Sequence, residues 1–198
     1  MPRSILAAIG LSIGMIVSAV AGPLDDAAIA VAQQRYSTAW QILRPLADGG
    51  NVEAIHQLGA MTYFGQGVRQ DYSNAASLYK LAAERGYAKS QTTLGVLYQE
   101  GRGVPQDYEQ ALAWFRRAAA QSYPVAMVNL GAMYEKGLGL PRDLVMAHMW
   151  LNLGISCLPA DDSMREFQVS RRDQLANQMT LKQITDAQRL AREWFSRR

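Results

Sequence analysis

Apolar side chains recur along this chain three and four residues apart, the spacing of one helix face, and glycine or proline cuts the runs at intervals. Leu94 to Ala120 shows the pattern best, with leucine, alanine and tryptophan at helical spacing and breaks at Gly101, Gly103 and Pro105. The spacing predicts a first helix from about Ala88 to Glu100, ended by Gly101 in the left-handed conformation that glycine adopts without steric penalty. Gly103, Val104 and Pro105 form a turn. Asp107 then caps a second helix from Tyr108, its carboxylate accepting from the exposed amides of the first turn, with Gln110 placed three residues on as in a capping box. Asp71 and Asn74 repeat that pairing. Gly86 follows one second helix and Pro124 opens a later first helix, the usual asymmetry of the two breakers.

The pattern repeats every 36 residues. Leu58-Gly59, Leu94-Gly95 and Leu130-Gly131 fall at that interval, as do three Gly-x-Gly pairs beginning at Gly65, Gly101 and Gly137, and Ala75, Ala111 and Ala147. Between residues 58–93 and 94–129, 12 of 36 positions are identical. A period of this length, with helical spacing in both halves of the unit, predicts stacked helix-turn-helix hairpins and excludes a strand-based repeat.

Gly59, Gly95 and Gly131 sit inside the first helices, where each costs about 1 kcal/mol relative to alanine. Close helix contact is the expected compensation, with Ala75, Ala82, Ala83, Ala111, Ala118 and Ala119 of the second helices as the small facing surface. Leu58, Met61, Leu94, Leu97, Leu130 and Met133, with Leu78, Trp114 and Trp150, are the expected core. A single hairpin cannot bury such a face, so the units must stack.

Composition adds a compartment and removes several functions. Hydrophobic residues make up 49% and charged residues 19%, as in a folded chain. Before Asp25 the only charged residue is Arg3, the run Ile5 to Val20 is apolar or small, and Ala19-Val20-Ala21 suits a signal peptidase. Residues 1–21 are therefore read as a signal peptide cleaved after Ala21, with an exported chain, periplasmic or secreted, that keeps no stable membrane span. An uncleaved anchor is the other reading of the run, weakened by Gly10, Ser12, Gly14 and Ser18. The single cysteine, Cys157, forms no internal disulfide and is read as a small buried apolar residue, with pairing between chains as the alternative. The 20 Lys and Arg nearly balance the 17 Asp and Glu, which gives no concentrated basic face for nucleic acid.

The motif L-G-x-[ML]-Y-x-x-G-x-G-V-x-Q-D-Y-x-x-A-x-x-W-[YF]-x-x-A-A, clearest from Leu94 to Ala119, resembles the SEL-one-like repeat, a relative of the tetratricopeptide repeat. Thr62 replaces its tyrosine, Arg69 its usual proline, and the third unit relaxes to Leu140-Pro141-Arg142-Asp143-Leu144. The resemblance implies an all-α fold, a right-handed α/α solenoid of helix-turn-helix repeats. Tyr36, Ala39, Ala47 and Gly50 align with Tyr72, Ala75, Ala83 and Gly86, so Leu24 to Asp48 reads as a shortened first hairpin. Downstream, Asp162 or Ser163 caps a helix to about Gln178, and Thr180 with Gln183 caps another carrying Ile184, Ala187, Leu190, Ala191 and Trp194. Arg189, Arg192, Arg197 and Arg198 suit the end of that helix. The expected divisions are 22–57 for a partial hairpin, 58–156 for the repeats and 157–198 for capping helices.

No catalytic constellation is visible. His56 and His148 lack a second ligand at helical spacing, giving no metal site, and both are read as surface or groove residues. Asp71, Asp107 and Asp143 are accounted for as caps, and the Gly-x-Gly pairs lack the third glycine and preceding strand of a dinucleotide site, so no cofactor is expected. The resemblance implies a non-catalytic scaffold or adaptor that binds a protein or peptide on its concave face, an envelope sensor or assembly protein among the partners. The alternative is a cell-wall-related hydrolase of the β-lactamase-like kind, whose paired cysteines are absent. If tetratricopeptide geometry holds, the inward positions are Glu53, His56, Tyr63 and Phe64, then Lys89, Thr92, Val96, Gln99 and Glu100, then Val128, Ala132 and Glu135. Tyr63 and Phe64 stand out because the corresponding residues are Gln99-Glu100 and Glu135-Lys136; packing under a loop is the other reading of the pair.

Overall fold

A computed structural model describes residues 22–196; the expected signal peptide, Arg197 and Arg198 lie outside the described residues. The chain forms α1 (Pro23–Ala32), α2 (Tyr36–Asp48), α3 (Val52–Phe64), α4 (Tyr72–Glu84), α5 (Ala88–Glu100), α6 (Tyr108–Ala119), α7 (Pro124–Lys136), α8 (Leu144–Cys157), α9 (Ser163–Ala176) and α10 (Leu181–Ser196). Each helix packs chiefly on its neighbours in sequence, and α10 turns back onto α8. The result is an all-helical stack of hairpins. None of the described helices is long and apolar enough to cross a membrane.

The helix ends follow the repeat residue by residue. Gly65, Gly101 and Gly137 close α3, α5 and α7 at φ of 70°, 69° and 67°, and their amides donate to Met61, Leu97 and Met133. Asp71, Asp107 and Asp143 cap the following helices, each accepting from the backbone amide three residues on at 2.9, 2.9 and 3.0 Å. In the third unit that amide belongs to Met146, which has no side-chain oxygen to reciprocate, so the carboxylate alone makes the recurrent cap. Gln70, Gln106 and Arg142 donate from their side chains to the carbonyls of Tyr63, Gln99 and Glu135, tying the turn to the helix it leaves. This gives a role to the polar residue before the aspartate, which the repeat pattern alone does not reveal.

The second glycine of each turn has a different job from the first. A Cβ on Gly67 would lie 2.8 Å from Tyr36 Cβ, one on Gly139 would lie 2.6 Å from Tyr108 Cβ, and one on Gly103 would overlap the Tyr72 carbonyl. These tyrosines open the second helix of the preceding unit, so the bare backbone of one turn seats directly on its neighbour. Stacking between units, and not only chain reversal, demands glycine there.

The glycines inside the first helices do meet the second helices closely, but not mainly through the alanines. Tyr79 Cε1 would stand 3.0 Å from a Cβ on Gly59, Phe115 Cε1 2.6 Å from one on Gly95, and Leu151 Cγ 3.1 Å from one on Gly131. Only at Gly131 does an alanine join the contact, through the carbonyl of Ala147. Residues 79, 115 and 151 are the large core partners of the second helices, whereas Leu78 and Trp150 are half-buried. The offset is one residue, which turns a helix position by about 100° and moves the fully buried side chain from the expected residue to its successor. The alanines line the rest of the seam and are essentially buried.

The boundary placed between 57 and 58 falls inside α3, which starts at Val52 under an Asn51 cap. Leu58-Gly59 is the first recognisable repeat pair, but the hairpin begins six residues earlier, at Val52. At the other end Asp162 caps α9, the Thr180–Gln183 box opens α10, and Ala187 and Ala191 are buried against the last hairpin. Trp194 meets Trp150 edge to face at 6.2 Å, and Cys157 is half-buried against the same cluster.

Candidate functional site

The first helices of the three full units, α3, α5 and α7, share a groove of about 510 Å³. Six of the inward-facing expectations meet there: His56, Tyr63 and Phe64 from α3 and Lys89, Thr92 and Val96 from α5. The groove also takes Ala60, Tyr79, Thr93, Leu97, Tyr123, Val125 and Asn129, which the sequence analysis did not select. Tyr79 was missed because it belongs to a second helix. Tyr123 lies just before α7, and its recurrence at Tyr87, 36 residues earlier, was a signal that could have found it.

The aromatic pair on α3 is split between structure and exposure. Tyr63 is half-buried, its ring 4.9 Å from Tyr72, and Arg102 Nη1 donates to its hydroxyl at 2.6 Å. Phe64 meets Tyr63 edge to face at 5.0 Å yet leaves 64% of its surface exposed. Val125, which also lines the groove, is 40% exposed. Apolar surface held open on a rigid frame favours an occupant that can cover it.

His56 is not a surface residue: it is only 7% exposed and wedged between Tyr79 and Tyr87, with ring centroids 5.2 and 5.4 Å away. Its Nδ1 is hydrogen-bonded with Ser90 Oγ at 2.9 Å. Burial, and then the Lys89 ammonium, push its pKa down to about 4, so the imidazole is neutral at physiological pH. Burial also raises the phenols of Tyr79 and Tyr123 above their ordinary value, which keeps both as neutral donors. His148 lies outside the groove, buried on α8 beside core Ala147, with Nδ1 3.0 Å from Asn152 Nδ2. Among the described residues no three of His, Cys, Asp and Glu gather as a metal site would need.

The other expectations go elsewhere. Glu53 lines a separate hollow of about 370 Å³ beside Gly22, Asn51 and Gln57. Glu100 pairs with Arg102 at 3.0 Å, and the Gln99 carbonyl is engaged by Gln106. Val128 packs towards Gly154 and the cluster of Ala147, Leu151 and Leu175, because it lies on the side of α7 turned to its hairpin partner α8. Ala132 is half-buried on α7. Glu135 is bound to Arg171 of α9 at 2.7 Å, so the cap occupies the end of the face that a longer stack would leave open. The groove is consequently biased to the first two units.

Comparison with known proteins agrees with the repeat register. The Sel1 repeat model matches residues 52–87, 88–123 and 124–157. Among solved structures, a Sel1 repeat protein from Oxalobacter formigenes is 26% identical, with a TM-score of 0.63 over 68% of this chain and 56% of that one. A protective antigen present in uropathogenic Escherichia coli strains, displaying an SLR fold, is 31% identical, with a TM-score of 0.72 over 81% of this chain and 33% of that one. The chain thus spans about half the length of the first and a third of the second. No curated protein matches it.

Proposed function

Because the chain belongs to the Sel1 repeat family, whose members generally serve as protein-interaction scaffolds, we propose that it is a non-catalytic adaptor that holds a segment of a protein partner in the groove over α3, α5 and α7. The observation that carries this reading is the groove itself, whose lining includes exposed Phe64 and Val125 and half-buried Val96 on a frame of capped, stacked helices. Export to the periplasm or medium is part of the proposal, supported by the apolar stretch Ile5 to Val20 and the small residues before Gly22. In that compartment an envelope sensor or an assembly protein is the class of partner.

A photo-crosslinking residue at position 64, in cells of the native host, is expected to give protein adducts, while the same residue at Leu81, exposed on the second-helix side, gives few. Equal adducts at the two positions would refute groove binding. Intact mass of the chain recovered outside the cytoplasm is expected to start at Gly22; an intact leader there would refute the cleavage. Hydrolysis of a chromogenic β-lactam by the purified chain would replace the adaptor reading with an enzymatic one.

A further inference from the structure

The groove is chemically one-sided. Lys89 is the only lining residue that carries charge at neutral pH, since no carboxylate lines the groove and buried His56 is neutral. The lysine is exposed and no carboxylate of the described residues lies within ion-pair distance of it. Nor is the charge part of the repeat scaffold: the corresponding positions are Glu53 and Val125, as those for Phe64 are Glu100 and Lys136. Both features are individual to the units that form the groove, and neither is required for stacking.

The spacing along α5 sets a length. Val96 follows Lys89 by seven residues on the same helix, about 10 Å at the α-helical rise. An extended peptide covers that distance in about three residues. We infer that the groove takes an extended peptide with a carboxylate on Lys89 and an apolar side chain about three residues away, seated between Phe64 and Val96. The inference rests on the groove being the binding face. The carboxylate belongs to an acidic side chain or to a chain terminus, and the two are separable by experiment.

The test is selection from a phage-displayed library of random peptides on the immobilised full chain, repeated on Lys89→Glu and Phe64→Asp. Both positions are exposed, so the variants are expected to keep the circular dichroism of the parent. Enriched peptides should carry Asp or Glu, or a free terminus, about three residues from Leu, Ile, Phe or Trp. Synthetic copies should bind about tenfold less well to Lys89→Glu, the loss of roughly one charge-assisted contact, and Lys89→Glu should itself select Lys or Arg. Amidation of the terminus abolishes binding if the terminal carboxylate is the ligand and leaves it unchanged if a side chain is. Peptides that bind equally to parent and Lys89→Glu, yet are lost on Phe64→Asp, would overturn this inference while keeping the groove. Peptides indifferent to both changes would overturn the groove as well, and no enrichment would overturn the inference outright.

Discussion

Alanine at Gly59, Gly95 and Gly131 separates helix propensity from packing, because the three positions are equivalent in the repeat and differ in what faces them. Each replacement gains about 1 kcal/mol of intrinsic helix stability. At Gly95 the new methyl would lie 2.6 and 2.7 Å from Phe115 Cε1 and Cδ1. The ring must retreat by about 0.8 Å to reach ordinary van der Waals contact. Phe115 is 0% exposed within a cluster that includes Leu112, Met127 and Leu130, so it has nowhere to move. Such overpacking costs about 1–3 kcal/mol, leaving Gly95→Ala destabilised by up to about 2 kcal/mol. At Gly59 the nearest atoms, on Tyr79, are 3.0 and 3.1 Å away, and that ring borders the open groove, so propensity and crowding should roughly cancel. Gly131 faces the Ala147 carbonyl at 3.1 Å, which cannot rotate aside, and falls between the two. Urea unfolding followed by circular dichroism measures the order, with an unchanged slope m showing that the unfolded surface is the same. If all three variants were stabilised alike by about 1 kcal/mol, the glycines would not be there for contact and the seam described above would be wrong.

Gly103→Ala combines a left-handed backbone at φ 72° with overlap of the Tyr72 carbonyl, so it should cost more than Gly95→Ala and loosen the joint between two units; hydrogen exchange is expected to rise first at the amides of Ser73 and the 101–107 turn. Asp107→Ala leaves the Gln110 amide uncapped and should lower stability by about 1 kcal/mol in the same urea assay, with Asp107→Asn restoring most of it. For His56 the folded pKa of about 4 lies below the unfolded value near 6.5, so protonation favours the unfolded chain. The stability it contributes is complete above pH 6.5 and is lost as pH falls from there to about 4, on the order of 3 kcal/mol in all. His56→Gln should flatten that part of the pH–stability curve, and an NMR titration of the His56 ring with a midpoint above 6 would contradict its burial.

The helical class, the 36-residue unit, the Asp71, Asp107 and Asp143 caps and the Gly101 terminator were all legible in the chain, because each is a contact between residues a few positions apart and leaves a local pattern. The helical period also put His56, Tyr63 and Phe64 of α3 and Lys89, Thr92 and Val96 of α5 on one face, although Glu53, Gln99 and Glu100, assigned by the same period, lie outside the groove those six line. The ring over each internal glycine was not: helical period alone does not decide between residues 114 and 115 when both are large and aromatic, and only the approach of α6 to α5 puts Phe115 on Gly95. The same holds for the seat of Gly103 on Tyr72 and for the pairing of Glu135 with Arg171, which join residues 31 and 36 positions apart through the stacking of whole units. His56 presents the contrast most simply: its residue type says only that it can titrate, while the groups that hold it neutral, Tyr79 of α4 and Tyr87 and Lys89 at the start of α5, reach it only through the packing of those helices on α3. Burial and electrostatics depend on everything within a few ångströms, and a linear pattern records only the neighbours along the chain.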